Sequence, residues 1–254
     1  MKVYFLGTGT SQGIPVIGSD HPVCLSNNPK DKRLRTAALV STKGVNLVID
    51  CGPDFRQQML NSKCTSLQAI LFTHEHADHT AGLDDIRPFN FKQGVMPIYA
   101  ENRVLSNLRE RFGYIFETEN RYPGAPSVLT HEVNKNEDFF IENVKIEPLR
   151  ALHGWLEIFG YKIGNLAYLT DVKTIDEEQS NKIKNIEVLV INALRITYHE
   201  THFSLDEALD FIRLVKPKKA YITHISHLLG FHDDVQAQLP ENVFLAYDNL
   251  EIEF

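Results

Sequence analysis

The sequence predicts an α/β fold in which two β-sheets pack against each other between outer layers of helices, a four-layer αββα sandwich. Short apolar runs typical of buried strands recur in both halves of the 254-residue chain, and helical patterns lie between some of them. With 43% hydrophobic residues, the chain can bury a sizeable core. Its length fits one domain over residues 1–254.

The predicted strands are short runs rich in β-branched and aromatic residues. They cover residues 3–7, 37–42, 46–50, 69–73, 97–100, 144–151, 159–164, 166–170, 188–194, 219–223 and 243–247. Gly, Asp, Asn, His or Pro follow these runs closely, which indicates strands that end at loops.

Helical periodicity predicts four helices, over residues 54–62, 102–113, 176–185 and 204–215. The last begins with Ser204 as N-cap and has Glu207 three positions later, which is the pattern of a capping box. Residues 114–138 are the least regular stretch and are predicted to form a lid or a substrate-facing insertion.

Charge and cysteine content limit the classes of function. The formal net charge of -7 gives no global attraction for a nucleic-acid backbone, so nucleic acid is not the expected partner. The three cysteines, Cys24, Cys51 and Cys64, include no CxxC pair, which favours a reducing compartment or metal ligation over a disulfide framework. Without a signal peptide or membrane span, we expect a cytoplasmic protein with no membrane partner. The sequence does not decide whether the protein forms a homodimer.

The stretch "ILFTHEHADHTAGL", residues 70–83, contains four metal-ligand residues in HxHxDH spacing directly after an apolar run. They are His74, His76, Asp78 and His79, and each can offer a lone pair to a divalent cation. On an extended segment, alternation sends the first three to one side, and a turn at Asp78 brings His79 round. The same alternation points the side chain of Glu75 away from the metal ions. Four such ligands indicate a pair of metal ions.

The chain resembles the metallo-β-lactamase fold superfamily over nearly its whole length, with HxHxDH as the hallmark. The resemblance implies further ligands at strand ends in the second half, where the sequence has His153, Asp171 and His224. It also implies that His74, His76 and His153 hold one ion, that Asp78, His79 and His224 hold the other, and that Asp171 bridges. Asp50 would orient a ligand histidine. Zinc and manganese both suit these ligands.

Two such metal ions lower the pKa of bound water and bind the oxygens of the group under attack. The ligand pattern therefore predicts a hydrolase. The opening "VYFLGTGTSQGIPVIGSDHPVC" resembles the phosphodiesterase branch, particularly phosphoribosyl 1,2-cyclic phosphate phosphodiesterases. The implied substrate is a small or cyclic phosphate ester. The predicted catalytic residues are Asp78, also a ligand, and His202, whose position in "ETHFS" matches a catalytic histidine of that branch. His202 would protonate the leaving alkoxide or steady a phosphoryl oxygen, with His199 as the second choice.

Other functions use the same fold. A tRNA 3′-processing endonuclease has the same core but normally carries a flexible basic arm, and the sequence has no long Gly-rich, Lys-rich insertion. A carboxylic-ester, thioester or lactone hydrolase is the alternative outside phosphate chemistry. A non-enzymatic scaffold is disfavoured, because a retired enzyme would be expected to lack some of the seven ligands.

The resemblance also implies a separate structural zinc site in the first loop. This sequence has Ser19, His21 and Cys24 where that branch has three cysteines, and His227 follows His224 by three residues. His21, Cys24 and His227 form either an additional zinc site or a hydrogen-bonded cluster without metal.

The sequence leaves other roles open. Arg33 and Arg35 either meet an anionic substrate or face solvent. Trp155, beside His153, either lines the pocket or packs beneath it. His131 and His232 match no motif and are predicted to be solvated.

Overall fold

Two seven-stranded sheets form the centre of the molecule. The computed structural model describes residues 1–119, 121–135 and 137–254. The strands in this part of the chain are β1 (Lys2–Gly7), β2 (Ala37–Thr42), β3 (Val45–Ile49), β4 (Ala69–Leu71), β5 (Met96–Ala100), β6 (Val128–Glu132), β7 (Phe139–Ile141), β8 (Val144–His153), β9 (Leu156–Ile163), β10 (Leu166–Tyr168), β11 (Val188–Asn192), β12 (Lys219–Thr223), β13 (Val243–Leu245) and β14 (Glu251–Glu253).

Each sheet has a parallel half and an antiparallel half. The order in the first sheet is β14-β1-β2-β3-β4-β5-β6, and in the second it is β13-β12-β11-β10-β9-β8-β7. Strands β3 to β6 pair in parallel, and so do β10 to β13. Because neighbouring parallel strands end at the same edge of a sheet, the loops after them are brought together there.

Helices cover the outer faces of both sheets. They are α1 (Pro22–Leu25), α2 (Phe55–Ser62), α3 (Ala77–Thr80), α4 (Arg87–Gln93), α5 (Asn102–Arg111), α6 (Gly113–Phe116), α7 (Glu177–Lys182), α8 (Leu205–Val215) and α9 (His232–Gln236). Single 3₁₀ turns span Pro29–Asp31, Leu83–Ile86 and His227–Leu229. The predicted capping box is present on α8, since Glu207 Oε2 accepts from Ser204 N at 2.8 Å and Ser204 Oγ accepts from Glu207 N at 3.4 Å.

Three apolar clusters correspond to the three interfaces of a four-layer sandwich. Residues from the facing surfaces of the two sheets, such as Phe5, Ile146 and Tyr161, form the middle cluster. The outer face of the first sheet packs on α2, α4 and α5, and that of the second packs on α7, α8 and α9. Burial of these faces drives the layers together. The predicted αββα sandwich is confirmed.

The predicted irregular stretch 114–138 contains a regular strand. Val128–Glu132 forms β6 at the edge of the first sheet and pairs in parallel with β5. Its side chains are half-buried or exposed, as at an edge strand, so it lacks the apolar pattern of a central one. Positions 120 and 136 of this stretch lie outside the described residues.

In the described ranges, no helix has both the length and the apolar character needed to cross a lipid bilayer.

Candidate metal centre

The predicted ligands converge at the carboxyl ends of strands from both sheets. His74 follows β4 in the first sheet, whereas His153 ends β8 and His224 follows β12 in the second. The rings of His74 and His153 lie 5.8 Å apart between centroids, as do those of His79 and His224. The fold therefore brings together residues up to 150 positions apart in the sequence.

One side of the centre consists of His74, His76 and His153. His74 Nε2 lies 3.0 Å from His76 Nδ1, and the rings of His76 and His153 are 5.2 Å apart. His153 Nδ1 lies 2.7 Å from the backbone oxygen of Thr201. A carbonyl can only accept, so His153 donates from Nδ1 and keeps the lone pair of Nε2 for a cation.

The other side is built around the carboxylate of Asp171. Its Oδ2 lies 3.3 Å from His79 Nε2, and its Oδ1 lies 3.1 Å from His224 Nε2. Asp78 Oδ2 lies 3.2 Å from His79 Nε2 and 3.8 Å from His224 Nε2. Asp171 also has ligand atoms within 4.8 Å of those of His74 and of His153, which belong to the first side, so it lies between the two sides as a bridging ligand requires.

The second half of the HxHxDH motif is a helical turn. The sequence predicted an extended segment that turns at Asp78, but Asp78 and His79 both lie in the one-turn helix α3, which has His76 as N-cap. Gly52 packs against this turn, and a Cβ there would lie 2.0 Å from the Asp78 backbone oxygen. Only glycine leaves room for this turn to approach so closely.

Asp50 fixes the orientation of the His79 ring. Its fully buried carboxylate accepts from His79 Nδ1 at 2.7 Å and from Thr73 N at 2.9 Å. Burial raises the pKa of Asp50, while His79 opposes that shift. The hydrogen bond directs Nε2 of His79 towards the centre, so the position predicted for Asp50 is confirmed.

The electrostatics of the centre favour a cation. Burial would raise the pKa of Asp171, but His224 and His79 hold it well below its usual value, so this carboxylate is ionised. Burial would lower the pKa of His79, but Asp171, Asp78 and Asp50 raise it well above the ordinary value. The three carboxylates thus favour positive charge at this position. Such a site suits divalent metal ions.

Unpaired nitrogen atoms provide a test of whether these residues fit a metal. His79 Nε2 and both ring nitrogens of His224 are buried without a hydrogen-bond partner, although carboxylate oxygens lie close to them. Buried polar atoms are normally paired, so these nitrogens are placed for another partner. Three groups of ligand atoms lie within 4.8 Å of one another, namely His74/His79/Asp171, Asp78/His79/His224 and His153/Asp171/His202. The residues fit metal ions.

His202 lies within the centre. Its Nε2 is 3.1 Å from Asp171 Oδ1, and its ring centroid is 4.4 Å from that of His153. Burial lowers the pKa of His202 to about 4, against the opposing effect of Asp171. His199 is further out, with its ring 5.0 Å from that of His202. The structure therefore brings His202, and not His199, against the predicted ligands.

The first-loop cluster is assembled only in part. The rings of His21 and His227 are 4.9 Å apart, and His227 Nδ1 is buried without a hydrogen-bond partner. Cys24 is buried, and its Sγ accepts from Val16 N at 3.5 Å. Across the described residues, these three are not among the groups whose ligand atoms all lie within 4.8 Å of one another. Zinc at His21, Cys24 and His227 stays a prediction.

Cys24→Ala tests this site. If the three residues hold zinc, the variant loses about one zinc ion per chain and becomes less stable, because binding energy at a structural zinc site is folding energy. Elemental analysis of purified protein measures the loss, with Cys64→Ala as the matched thiol control. An unchanged zinc count in Cys24→Ala would show that the cluster holds no metal.

His232, predicted to be solvated, and Arg33, predicted to meet either an anionic substrate or solvent, are instead part of a buried network. His232 and Arg33 are both buried, with His232 Nδ1 3.1 Å from Arg33 Nη2. Arg33 also donates to Thr8 Oγ1 at 2.7 Å, and Thr8 donates to Asp248 Oδ1 at 2.7 Å. The prediction of a solvated His232 is wrong, because the loop before β2 and the end of the chain enclose it.

The structure also shows the surroundings of three further residues that the sequence analysis considered. Arg35 pairs with Asp54 and donates to the Ser11 backbone oxygen at 3.2 Å, so it secures the first loop. His131 lies on β6, where it stacks on Tyr99 with ring centroids 4.4 Å apart. Trp155 is 90% exposed in the turn after His153 and therefore does not pack beneath the centre.

The sequence did not point to the threonines around the centre. Thr73 Oγ1 lies 3.0 Å from His74 Nδ1 and donates to Asp50, and Thr201 orients His153 through its backbone oxygen. Thr73 directly precedes the motif, which is a signal that could have marked it. For Thr201 there was no such signal, since its role depends on a backbone atom.

Comparison with known proteins agrees with this geometry. Residues 45–225 match the family model described as a beta-lactamase superfamily domain. Over 253 residues the chain is 41% identical to an octanoyltransferase of Porphyromonas gingivalis, covering 99% of this chain and 51% of the relative. Over 193 residues it is 32% identical to a ribonuclease Z of Saccharolobus islandicus, covering 74% of this chain and 57% of the relative. The chain thus spans little more than half the length of these relatives.

A solved structure matches the whole fold. The crystal structure of a diphosphatase from the PhnP family superimposes with a TM-score of 0.92 at 37% identity, covering 100% of this chain and 97% of that one. Together with the ligand geometry, these matches show that the chain belongs to the metallo-β-lactamase superfamily of hydrolases, in its PhnP-like branch.

Proposed function

We propose that this protein is a dinuclear-metal phosphodiesterase that hydrolyses a small or cyclic phosphate ester. The observation that carries the proposal is the convergence of six other predicted ligand side chains and His202 around the Asp171 carboxylate. Similarity to a diphosphatase supports phosphate chemistry in particular.

Each side chain has a defined task in this proposal. When bound, a pair of divalent cations acidifies water and polarises the group under attack. Asp171 lies between the two sides of the centre, within 4.8 Å of ligand atoms from each, and Asp50 and the Thr201 carbonyl fix the rings of His79 and His153. His202 lies where its ring can donate to a phosphoryl oxygen or to the leaving oxygen.

Two exposed aromatic side chains close in sequence to His153 and His202 offer a surface for an organic group of the substrate. Trp155 is almost fully exposed in the turn after His153, and Tyr198 is exposed in the loop that carries His202. Lys173 Nζ lies 4.0 Å above the Tyr198 ring. The net charge of -7 gives no general attraction for a polynucleotide, which favours a small substrate.

Two relatives suggest other activities. The ribonuclease Z similarity supports a nuclease as the second candidate, since this chain aligns with that enzyme over 193 residues. The octanoyltransferase is about twice as long as the region matched, so the activity in its name need not lie in the half that this chain resembles.

A substrate panel separates these candidates. It contains bis-p-nitrophenyl phosphate, a five-membered cyclic phosphate diester, an alkyl diphosphate, a thioester and a tRNA with a 3′ extension. We expect metal-dependent turnover of a small phosphate ester to exceed that of the thioester by about 100-fold, a separation that selective contacts in a site can supply. Preferred cleavage of the tRNA or of the thioester would overturn the proposal, and Asp171→Ala provides the background rate.

A further inference from the structure

Glu75 separates two predicted ligands but faces a helix on the outside of the sheet. Its Oε1 pairs with Nη1 of Arg103, in the first turn of α5. Nη2 of Arg103 donates to the backbone oxygen of Glu157 at 2.5 Å and lies 3.2 Å from a carboxylate oxygen of Glu101. One guanidinium therefore contacts both the HxHxDH segment and the second sheet.

The Glu157 oxygen belongs to the hairpin that carries His153. Glu157 lies on β9 opposite Leu152 of β8, and the next pair along the hairpin is His153 with Leu156. Arg103 thus joins the segment that bears His74 and His76 to the strand pair that bears His153.

This contact extends a seam between the two sheets, that is, a row of hydrogen bonds that joins β9 to the segment after β4. Tyr161 Oη donates to the Phe72 backbone oxygen at 2.6 Å, and Phe159 N donates to the Thr73 backbone oxygen at 3.0 Å. Arg103 adds the next contact along β9, between Glu75 and Glu157. The seam is made by main-chain and tyrosine groups up to Thr73, and beyond it by an arginine side chain.

A second arginine of α5 holds the other side of the same segment. Arg111 Nη1 donates to the Glu75 backbone oxygen at 3.1 Å and to Thr80 Oγ1 at 2.8 Å. It contacts only the HxHxDH segment among these elements, so it fixes the shape of that segment and not its distance from His153.

We infer that Arg103 is a positioning residue for the metal centre, which sets the separation between the His74/His76 pair and His153. This inference rests on the proposed dinuclear centre. The guanidinium suits the task because its planar fork donates in two directions at once, which a lysine ammonium on a single flexible stem does less well. Ligands held in advance at the right separation bind a metal more tightly, because less ordering is needed on binding.

Arg103→Ala should weaken binding of one of the two metal ions by at least about 10-fold, at the lower end of the range for residues that support metal ligands. Competition between a chromophoric chelator and the full chain for Zn²⁺ measures both affinities. The absorption spectrum of the Co²⁺ form gives a second readout, because its visible bands depend on ligand geometry. The Co²⁺ spectrum of Arg103→Ala should differ from that of the wild type.

The controls distinguish positioning from a general loss of stability. Arg109→Ala removes an arginine of the same helix that donates to Thr130 instead, and it should keep wild-type affinities. Glu75→Ala breaks the link from its other end and should match Arg103→Ala, and the double variant should be no weaker than either single one. Arg103→Lys should restore only part of the affinity.

Two results separate failure of this inference from failure of the proposed function. If the wild-type chain binds no pair of metal ions, the dinuclear proposal itself is wrong. If the wild type binds two ions and both Arg103→Ala and Glu75→Ala bind them with unchanged affinity and an unchanged Co²⁺ spectrum, the proposed centre stands and Arg103 has no positioning role. A lower melting temperature of the metal-stripped protein alone would likewise assign it a structural role only.

Discussion

Replacing Asp171 by alanine is expected to remove both metal ions and to reduce turnover of a phosphodiester by more than about 100-fold, beyond what loss of a single supporting residue causes. Its carboxylate oxygens approach His79 and His224 of one proposed ion, and they lie within 4.8 Å of ligand atoms of His74 and His153 of the other. A single truncation therefore removes a contact from each ion. Elemental analysis of the purified variant measures the metal content, and initial rates with bis-p-nitrophenyl phosphate measure turnover.

A matched carboxylate shows that the effect is specific. Asp210→Ala removes an exposed carboxylate that pairs with Arg213 on the same helix, and it should keep both ions and the wild-type rate. Asp171→Asn keeps the size of the side chain but removes its charge, so it should lie between the wild type and the alanine variant. Wild-type metal content in Asp171→Ala would contradict the bridging assignment.

The residues that the sequence predicted as ligands lie together in the structure, and those of the second half each follow a strand with a clear local pattern. His153, Asp171 and His224 come directly after or at the end of apolar runs, and the resemblance gave their order. Parallel pairing of β10, β11 and β12 brings Asp171 and His224 to one edge of the sheet, and β8 ends at the same edge because β8 and β10 both run antiparallel to β9.

Features that depend on distant parts of the chain were not predictable. His232 is buried because Arg33 and Asp31, about 200 positions earlier, approach it from the first loop. Nothing in the residues around Glu75 indicates that Arg103 would contact it. A single helical turn such as Ala77–Thr80 is too short to show periodicity, which explains why this segment was predicted to be extended.

Helix α4 and strand β6 were missed for a related reason. The sequence "RPFNFKQ" of α4 has Pro88 near its start, which is favourable in the first turn of a helix but resembles a turn signal in the sequence. Strand β6 lies at a sheet edge, where half-exposed side chains replace the apolar run of a central strand. In both cases the tertiary position of the segment decides its structure.

The loop that carries His202 also orients His153, one of the predicted metal ligands. The Thr201 backbone oxygen accepts from His153 Nδ1 at 2.7 Å, and Thr201 Oγ1 lies 2.9 Å from His202 Nδ1. Gly154, with a positive φ, packs on Thr201 so closely that a Cβ would lie 2.9 Å from its Cγ2. The hairpin turn after His153 and the His202 loop therefore form one wall of the centre, which fixes His202 relative to the ligands.

His202→Ala should retain both metal ions and lose about 100-fold or more in turnover of an alkyl phosphodiester, the usual scale for a group that donates a proton or a hydrogen bond in the transition state. Its Nδ1 lies 2.9 Å from Thr201 Oγ1 and its Nε2 lies 3.1 Å from Asp171 Oδ1, so the ring can direct an N–H group towards the centre. A p-nitrophenyl ester distinguishes its two roles. The loss should shrink for this leaving group if His202 protonates the leaving oxygen, and should stay the same if it donates to a phosphoryl oxygen.

His199→Ala, which changes a histidine further from the centre, is the control and should keep most of the activity. A wild-type rate of alkyl phosphodiester hydrolysis in His202→Ala, with both metals present, would show that the ring has no catalytic role.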